Sequence, residues 1–278
     1  GEFVWTGFDY LGEPTPFNSD NSVLLNNKEA LTAEELEAQR KALQEIEKNR
    51  PTSRSSYFGI VDLAGFPKDR YYLYKAHWMP DEPMVHILPH WNFPDRIGKV
   101  TPVFVYTSGD EAELFLNGKS LGRKKKGLYE YRLKWEDVFY QPGELKAVAY
   151  KKGKKWAESH VATTGNAVAL KLTPDKQSVR SDGDDLVFVR VSFVDSKGRE
   201  VPTAENVISC KVEGKGRIVA TDNGDPTCLI PFQEPTRPAF NGLYLAIVKP
   251  EYGTEGLLRL TVEAEGMPQQ ELKIKVEK

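Results

Sequence analysis

Histidine and cysteine are the residue types best suited to bind metal or attack an electrophile, and this sequence holds four of the first and two of the second. His77 and His160 stand alone. His86 and His90 are four apart, the spacing that puts two ligands on one helix face. Pro89 lies between them and the neighbouring residues read as strand, so a helix-borne metal pair is not expected. Cys210 and Cys228 form no C-x-x-C and have no histidine beside them, which argues against a zinc site or a redox motif. Two small buried thiols are the expectation, with a disulfide as the alternative. Neither a metal nor a cofactor is predicted.

Two basic runs, Arg123-Lys124-Lys125-Lys126 and Lys151 to Lys155, raise the question of a polyanionic partner. Over residues 81–165, however, 14 basic side chains face 11 acidic ones, a net of only +3. Both runs fall at predicted hairpin turns, where lysines discourage pairing between sheet edges, so no nucleic-acid partner is expected.

The elements that would carry these residues divide the chain by texture. Phe3-Val4-Trp5-Thr6-Gly7-Phe8 reads as a short buried strand, and the glycine and two prolines of Asp9 to Pro16 impose a loop. Thr32 and Glu35 stand in a capping-box arrangement ahead of Leu36, Leu43 and Ile46, which predicts a helix stopped by Asn49, Arg50 and Pro51. Asp69 to Trp78 reads as a second helix with an aromatic face. From about Met84 the period changes to two. Ala112, Leu114 and Leu116 lead into the hairpin signal Asn117-Gly118, and a strand around Leu145, Ala147 and Ala149 turns at Lys151–Lys155. Beyond Asn166, Val187, Val189, Val191 and Phe193 line one face of a long strand, and Leu258, Leu260, Val262, then Leu272, Ile274 and Val276, repeat the rule. The spacing predicts immunoglobulin-like sandwiches without the Cys…Trp…Cys pattern of antibody domains.

Length and composition agree with several modules: 278 residues, 40% hydrophobic, 28% charged and a net charge of −2. No apolar run nears the ~18 residues of a membrane helix, so no membrane partner is expected.

An N-terminal piece with two short strands and two helices is better read as the end of a larger α/β domain. Residues Phe3 to Pro16 resemble the last barrel strand and following loop of glycoside hydrolase family 2, in its bacterial β-galactosidase-type members. Tyr57 to Asp62 with Lys68 to Tyr74 is similar to the family's final barrel loop and helix. His86 to Phe93 and Glu113 to Gly122 resemble the sandwich that follows the barrel, and residues 166–278 resemble an additional C-terminal immunoglobulin-like domain.

The resemblance implies a mainly β chain: the last strands and helices of a (β/α)₈ barrel over 1–80, a β-sandwich over 81–165 and an immunoglobulin-like sandwich over 166–278. It also implies that the parent protein hydrolyses terminal β-galactosides with retention, which takes two carboxylates about 5–5.5 Å apart. In this family both are glutamates on earlier barrel strands, the acid/base after an asparagine, and residues 1–80 hold no Asn-Glu. No catalytic residue is therefore carried onto this chain, and the chain alone is expected to be inactive. Asp9 and Glu13 are expected to cap a loop or form a salt link.

Trp5 is the one substrate-binding candidate, because the family places a tryptophan here at the wall of the sugar pocket; the alternative is a core tryptophan between barrel and helix. Ser55 and Ser56 are candidates for the pocket rim, with an ordinary loop as the alternative. The sandwiches are read as buttresses for the barrel. Competing readings are carbohydrate binding on an exposed platform of Trp91, Trp135 or Trp156, a spacer or homo-oligomerising module, and a β-glucuronidase or β-mannosidase parent. Localisation is unknown from the chain itself, with a periplasmic or secreted parent as the expectation.

Overall fold

A computed structural model describes residues 3–13, 32–48 and 52–278. The expected loop at Pro14–Pro16 and the helix stop at Asn49–Pro51 lie outside the described residues, as do the side chains of Leu43 and Ile46. The chain forms two compact units, residues 1–66 with 224–231 and residues 67–223 with 232–278.

In the first unit the helix α1 (Ala33–Lys48) begins where Thr32 predicts, the Leu36 N–H donating to the Thr32 carbonyl. The segment Phe3–Phe8 departs from expectation. It forms no regular strand and meets residues 54–61 through the isolated parallel bridge of Phe8 to Val61, with a second, antiparallel bridge of Leu11 to Ser55 just beyond it. Phe3 is 99% exposed and Trp5 74% exposed. An apolar strand becomes buried only when other elements cover both its faces, and no alternation within the segment itself supplies that cover.

The second unit is mainly β. The helix α2 (Asp69–Trp78) spans the predicted residues, with Asp69 in its first turn and Lys75 and His77 in its last, as the helix dipole favours. Seven strands follow: β1 (Val85–Leu88), β2 (Val103–Thr107), β3 (Glu111–Leu116), β4 (Lys119–Lys125), β5 (Leu133–Trp135), β6 (Glu144–Lys151) and β7 (Lys154–Ala162). They form two sheets, β1-β2-β5 and β4-β3-β6-β7. Alternation in β3 sends Ala112, Leu114 and Leu116 inward, where they join Ile87, Val105 and Leu145 in one core. Each such side chain, taken out of water, contributes roughly 1.5–3 kcal/mol. Asn117 and Gly118 both take positive φ, 52° and 79°, which is the backbone of a two-residue turn matched to strand twist.

Nine further strands form a second pair of sheets: β8 (Ala169–Pro174), β9 (Ser178–Arg180), β10 (Val187–Val194), β11 (Val207–Gly214), β12 (Gly216–Asp222), β13 (Thr236–Pro238), β14 (Leu243–Pro250), β15 (Gly256–Ala264) and β16 (Gln270–Glu277). Their orders are β12-β14-β10-β8 and β13-β11-β15-β16-β9, and only the β16–β9 pair is parallel. Val187, Val189, Val191 and Phe193 pack with Leu258, Leu260, Val262 and Ile274 in a single core, as their period of two requires.

Candidate functional site

The first unit is built around Asp9. Its buried carboxylate accepts the Gly59 N–H at 2.7 Å and the Ser56 hydroxyl at 3.4 Å, so it braces its own segment against residues 56–59. Position 59 has no room for a side chain: a Cβ there would lie 2.3 Å from the Asp9 nitrogen and 2.7 Å from the Val61 carbonyl oxygen. Both Asp9 and Gly59 serve one close backbone approach, which agrees with the loop-capping expectation for Asp9.

Ser55 and Ser56 are overturned as pocket-rim residues. Both are buried, the Ser55 hydroxyl donating to the Ser56 carbonyl and the Ser56 hydroxyl accepting the Tyr10 N–H at 3.0 Å. Their polar atoms are consumed in joining residues 53–56 to 10–12, so neither is offered to a ligand.

The exposed chemistry clusters at Trp5, Tyr10 and Glu13. The Trp5 indole N–H donates to the Tyr10 hydroxyl at 3.1 Å, and that hydroxyl donates to the Glu13 carboxylate. The rings of Trp5 and Tyr10 meet edge to face at 6.0 Å, and Tyr10 meets Phe58 in the same way at 5.8 Å. The bond to Glu13 raises the Tyr10 phenol above its ordinary value, partly opposed by the bond from Trp5. This arrangement is a flat exposed indole whose edge is tethered to a tyrosine. Sequence reasoning found Trp5 and Glu13 but missed Tyr10, for which Asp9-Tyr10-Leu11 carries no local signal.

The remaining sequence candidates separate cleanly. Trp91 and Trp135 are 1% and 4% exposed and belong to the first sandwich core, so a flat platform through them is overturned; their indole N–H groups donate to the carbonyls of Gln141 and Leu121. Trp135 faces inward as the register of β5 dictates, whereas Trp91 lies beyond the end of β1 and packs against Tyr140. Trp156 is half-buried and donates to the Ser108 hydroxyl. His86 bonds Asp69 of α2 at 2.7 Å and stacks on Tyr72, while His90 stacks on Phe93. Among the described residues no group of histidine, cysteine and acidic side chains could hold a metal ion. Cys210 and Cys228 are both buried and no disulfide joins them. No described helix is long and apolar enough to cross a membrane.

Comparison with known proteins gives these features a family. Residues 170–273 match the glycoside hydrolase family 2 C-terminal domain 5, and residues 98–157 match a domain of unknown function. The chain is 39% identical over its full length to the β-galactosidase BoGH2A of Bacteroides ovatus, of which it spans 28%. It is 33% identical over 81% of its length to a putative β-glucuronidase of Formosa agariphila, spanning 19% of that protein. A glycosyl hydrolase family 2 member from Bacteroides cellulosilyticus superposes with a TM-score of 0.83 at 27% identity, covering 100% of this chain and 36% of the other. The chain thus spans about a quarter of these curated relatives. Residues 170–273 carry a C-terminal domain of glycoside hydrolase family 2, and over its whole length the chain is related to the C-terminal part of family 2 glycosidases.

Proposed function

We propose that this chain is the C-terminal portion of a retaining glycosidase that removes terminal β-galactosyl residues. Residues 1–80 form the end of its (β/α)₈ barrel, and 81–165 and 166–278 are two immunoglobulin-like sandwiches that buttress it. The observation that carries this reading is the identity of 39% to the Bacteroides ovatus β-galactosidase, which runs through the Trp5 segment to the last strand and covers 100% of the chain. Trp5 then contributes its exposed indole face to the apolar C–H side of a pyranose, with Tyr10 and Glu13 fixing the ring's edge. The acid/base and nucleophilic glutamates belong to earlier barrel strands, so the chain by itself turns over nothing.

A second reading, a β-glucuronidase parent, draws support from the relative in Formosa agariphila. The two substrates differ at two positions: a glucuronide carries a carboxylate where a galactoside carries a hydroxymethyl group, and its 4-hydroxyl is equatorial where the galactoside's is axial. Turnover of nitrophenyl β-galactoside, β-glucuronide and β-mannoside by the full-length protein discriminates them. The galactoside is expected to be preferred by at least about a hundredfold in kcat/KM, because a site that pairs one group leaves its own polar atoms unpaired with the other. Preference for the glucuronide would reverse the assignment.

A further inference from the structure

Residues 224–231 sit between β12 and β13 of the C-terminal sandwich in sequence, yet fold as part of the first unit. The loop is braced internally. The Asp225 carboxylate accepts both the N–H and the hydroxyl of Thr227, at 2.8 and 2.7 Å, and the Asp225 carbonyl accepts the Cys228 N–H. This turn leaves the Pro226 carbonyl pointing outward, where it accepts two bonds, from the Ser53 hydroxyl at 2.9 Å and the Arg54 N–H at 3.1 Å. Four residues on, the Ile230 carbonyl accepts the Arg54 guanidinium at 3.0 Å. At its other end Gly224, with φ +77°, lies against Asp62 so closely that a Cβ would stand 2.2 Å from a carboxylate oxygen. Asp62 in turn caps its own turn by accepting the Phe66 N–H.

The segment gripped in this way holds Tyr10. Arg54 accepts the Gly12 N–H through its carbonyl, Ser55 bridges Leu11, and Ser56 donates its N–H to the Tyr10 carbonyl at 2.9 Å while its hydroxyl accepts the Tyr10 N–H. Tyr10 is the residue to which the Trp5 indole is tethered. Hydrogen bonds joined by short stretches of covalent chain therefore run from the Pro226 carbonyl through residues 53–56 and Tyr10 to Trp5.

We propose that loop 224–231 is a positioning element for Trp5: by fixing Ser53 and Arg54 it sets the segment that carries Tyr10, and through Tyr10 the orientation of the indole. A loop that lies in sequence between two strands of the C-terminal sandwich thereby helps set the geometry of the Trp5 segment, a role beyond buttressing. A loop with only a covering function would need neither a doubly used carbonyl nor a glycine packed against a carboxylate. The role assigned to the loop's residues is positioning and not catalysis. The claim that this matters for turnover rests on the proposed role of Trp5 in sugar binding; the positioning itself does not.

The test uses the chain labelled with 5-fluorotryptophan, whose five indoles give five fluorine resonances. Trp5→Phe assigns the Trp5 signal. Gly224→Ala and the milder Ser53→Ala are each expected to shift or broaden that signal and leave those of Trp91 and Trp135 in place, whereas Ser53→Thr, which keeps the hydroxyl, restores it. A Trp5 signal unmoved by both variants overturns the proposal. In the full-length protein Gly224→Ala is expected to lower kcat/KM roughly tenfold, mainly through KM, and Ser53→Ala, which introduces no strained φ, to lower it with the smaller change in melting temperature. If the fluorine signal moves while Trp5→Ala leaves turnover intact, the positioning stands and the sugar role of Trp5 fails. If Trp5→Ala costs turnover and Gly224→Ala moves neither signal nor rate, the sugar role stands and the positioning fails.

Discussion

Arg237, whose side chain is wholly buried, sets its guanidinium 3.7 Å from the carboxylate of Asp222. Asp222 ends β12 and Arg237 lies in β13, so the pair closes the base of the loop whose tip is 224–231. The Arg237 Nε also donates to the Thr221 hydroxyl at 2.8 Å, and that hydroxyl donates to the Glu234 carbonyl. Burying a guanidinium is costly unless its donors find partners, and here Thr221 and Asp222, at the end of β12, supply them across the base of the loop.

Arg237→Met keeps most of the volume and removes the cation. The buried Asp222 then faces a thioether where it faced a guanidinium, and such a broken pair costs about 3–5 kcal/mol. Urea unfolding followed by far-ultraviolet circular dichroism should show a loss in that range. A change under ~1 kcal/mol would mean that the pair is no more than a surface contact in its energetics.

Asp195 gives the pH dependence. Its carboxylate is held by the Arg199 guanidinium at 2.5 and 2.9 Å and by the N–H groups of Gly165, Lys197 and Arg199. The Arg199 side chain is the largest cause of a strong downward shift, which burial partly opposes and the backbone donors reinforce. A folded-state value depressed below the unfolded ~3.9 means that the stabilisation is fully present above about pH 4 and is lost as pH falls further, through the folded value. Asp195→Asn should therefore melt below wild type at pH 7, and the gap should narrow below pH 4. A gap that is constant from pH 7 to pH 2 would remove the ionised carboxylate from the account.

Burial pushes the Cys210 thiol up to about 11, against a smaller opposing hydrogen bond with Tyr244. At pH 8 the thiolate fraction is then about a thousandth, and the thiolate is the reactive species. Treatment of the native chain with an aromatic disulfide reagent at pH 8 should leave Cys210 unmodified over hours, with rapid labelling once the chain is unfolded in guanidinium. Fast native labelling of Cys210, identified by peptide mass, would contradict the burial.

How much of this was legible in the sequence depends on the range of the interaction. The turn at Asn117-Gly118 and the inward row Val187, Val189, Val191 and Phe193 follow from φ preference and period, which are local, and both are found where expected. The exposure of Phe3 and Trp5 depends on what covers the segment, and the burial of Trp91 and Trp135 on which sheet they face; neither is written in the neighbouring residues. The Pro226–Ser53 bond joins residues 173 apart in a stretch with no periodic pattern, so nothing in the local sequence marks it. Its one trace is the density of turn formers in Asn223-Gly224-Asp225-Pro226-Thr227, which signals a shaped loop without saying what the loop grips.

Trp5 provides the sharpest division between structure and function. At 74% exposure in this chain its indole contributes little to any core, so Trp5→Ala should leave the melting temperature of the chain within about a degree of wild type. On the function proposed above, adjacent barrel strands of the full-length protein would complete the pocket, and an indole already held by Tyr10 would stack on the sugar without first having to be ordered. Its loss should lower kcat/KM for nitrophenyl β-galactoside by about tenfold to a thousandfold, or roughly 1.4–4 kcal/mol of transition-state stabilisation. In the chain alone, with no pocket around it, galactose binding should stay below detection by titration calorimetry at ~10 mM sugar, where a single stacking contact contributes about 1–2 kcal/mol, short of the ~4 that millimolar affinity needs. A full-length Trp5→Ala variant that melts many degrees lower yet turns over normally in its folded fraction would instead make Trp5 a packing residue between barrel and helix.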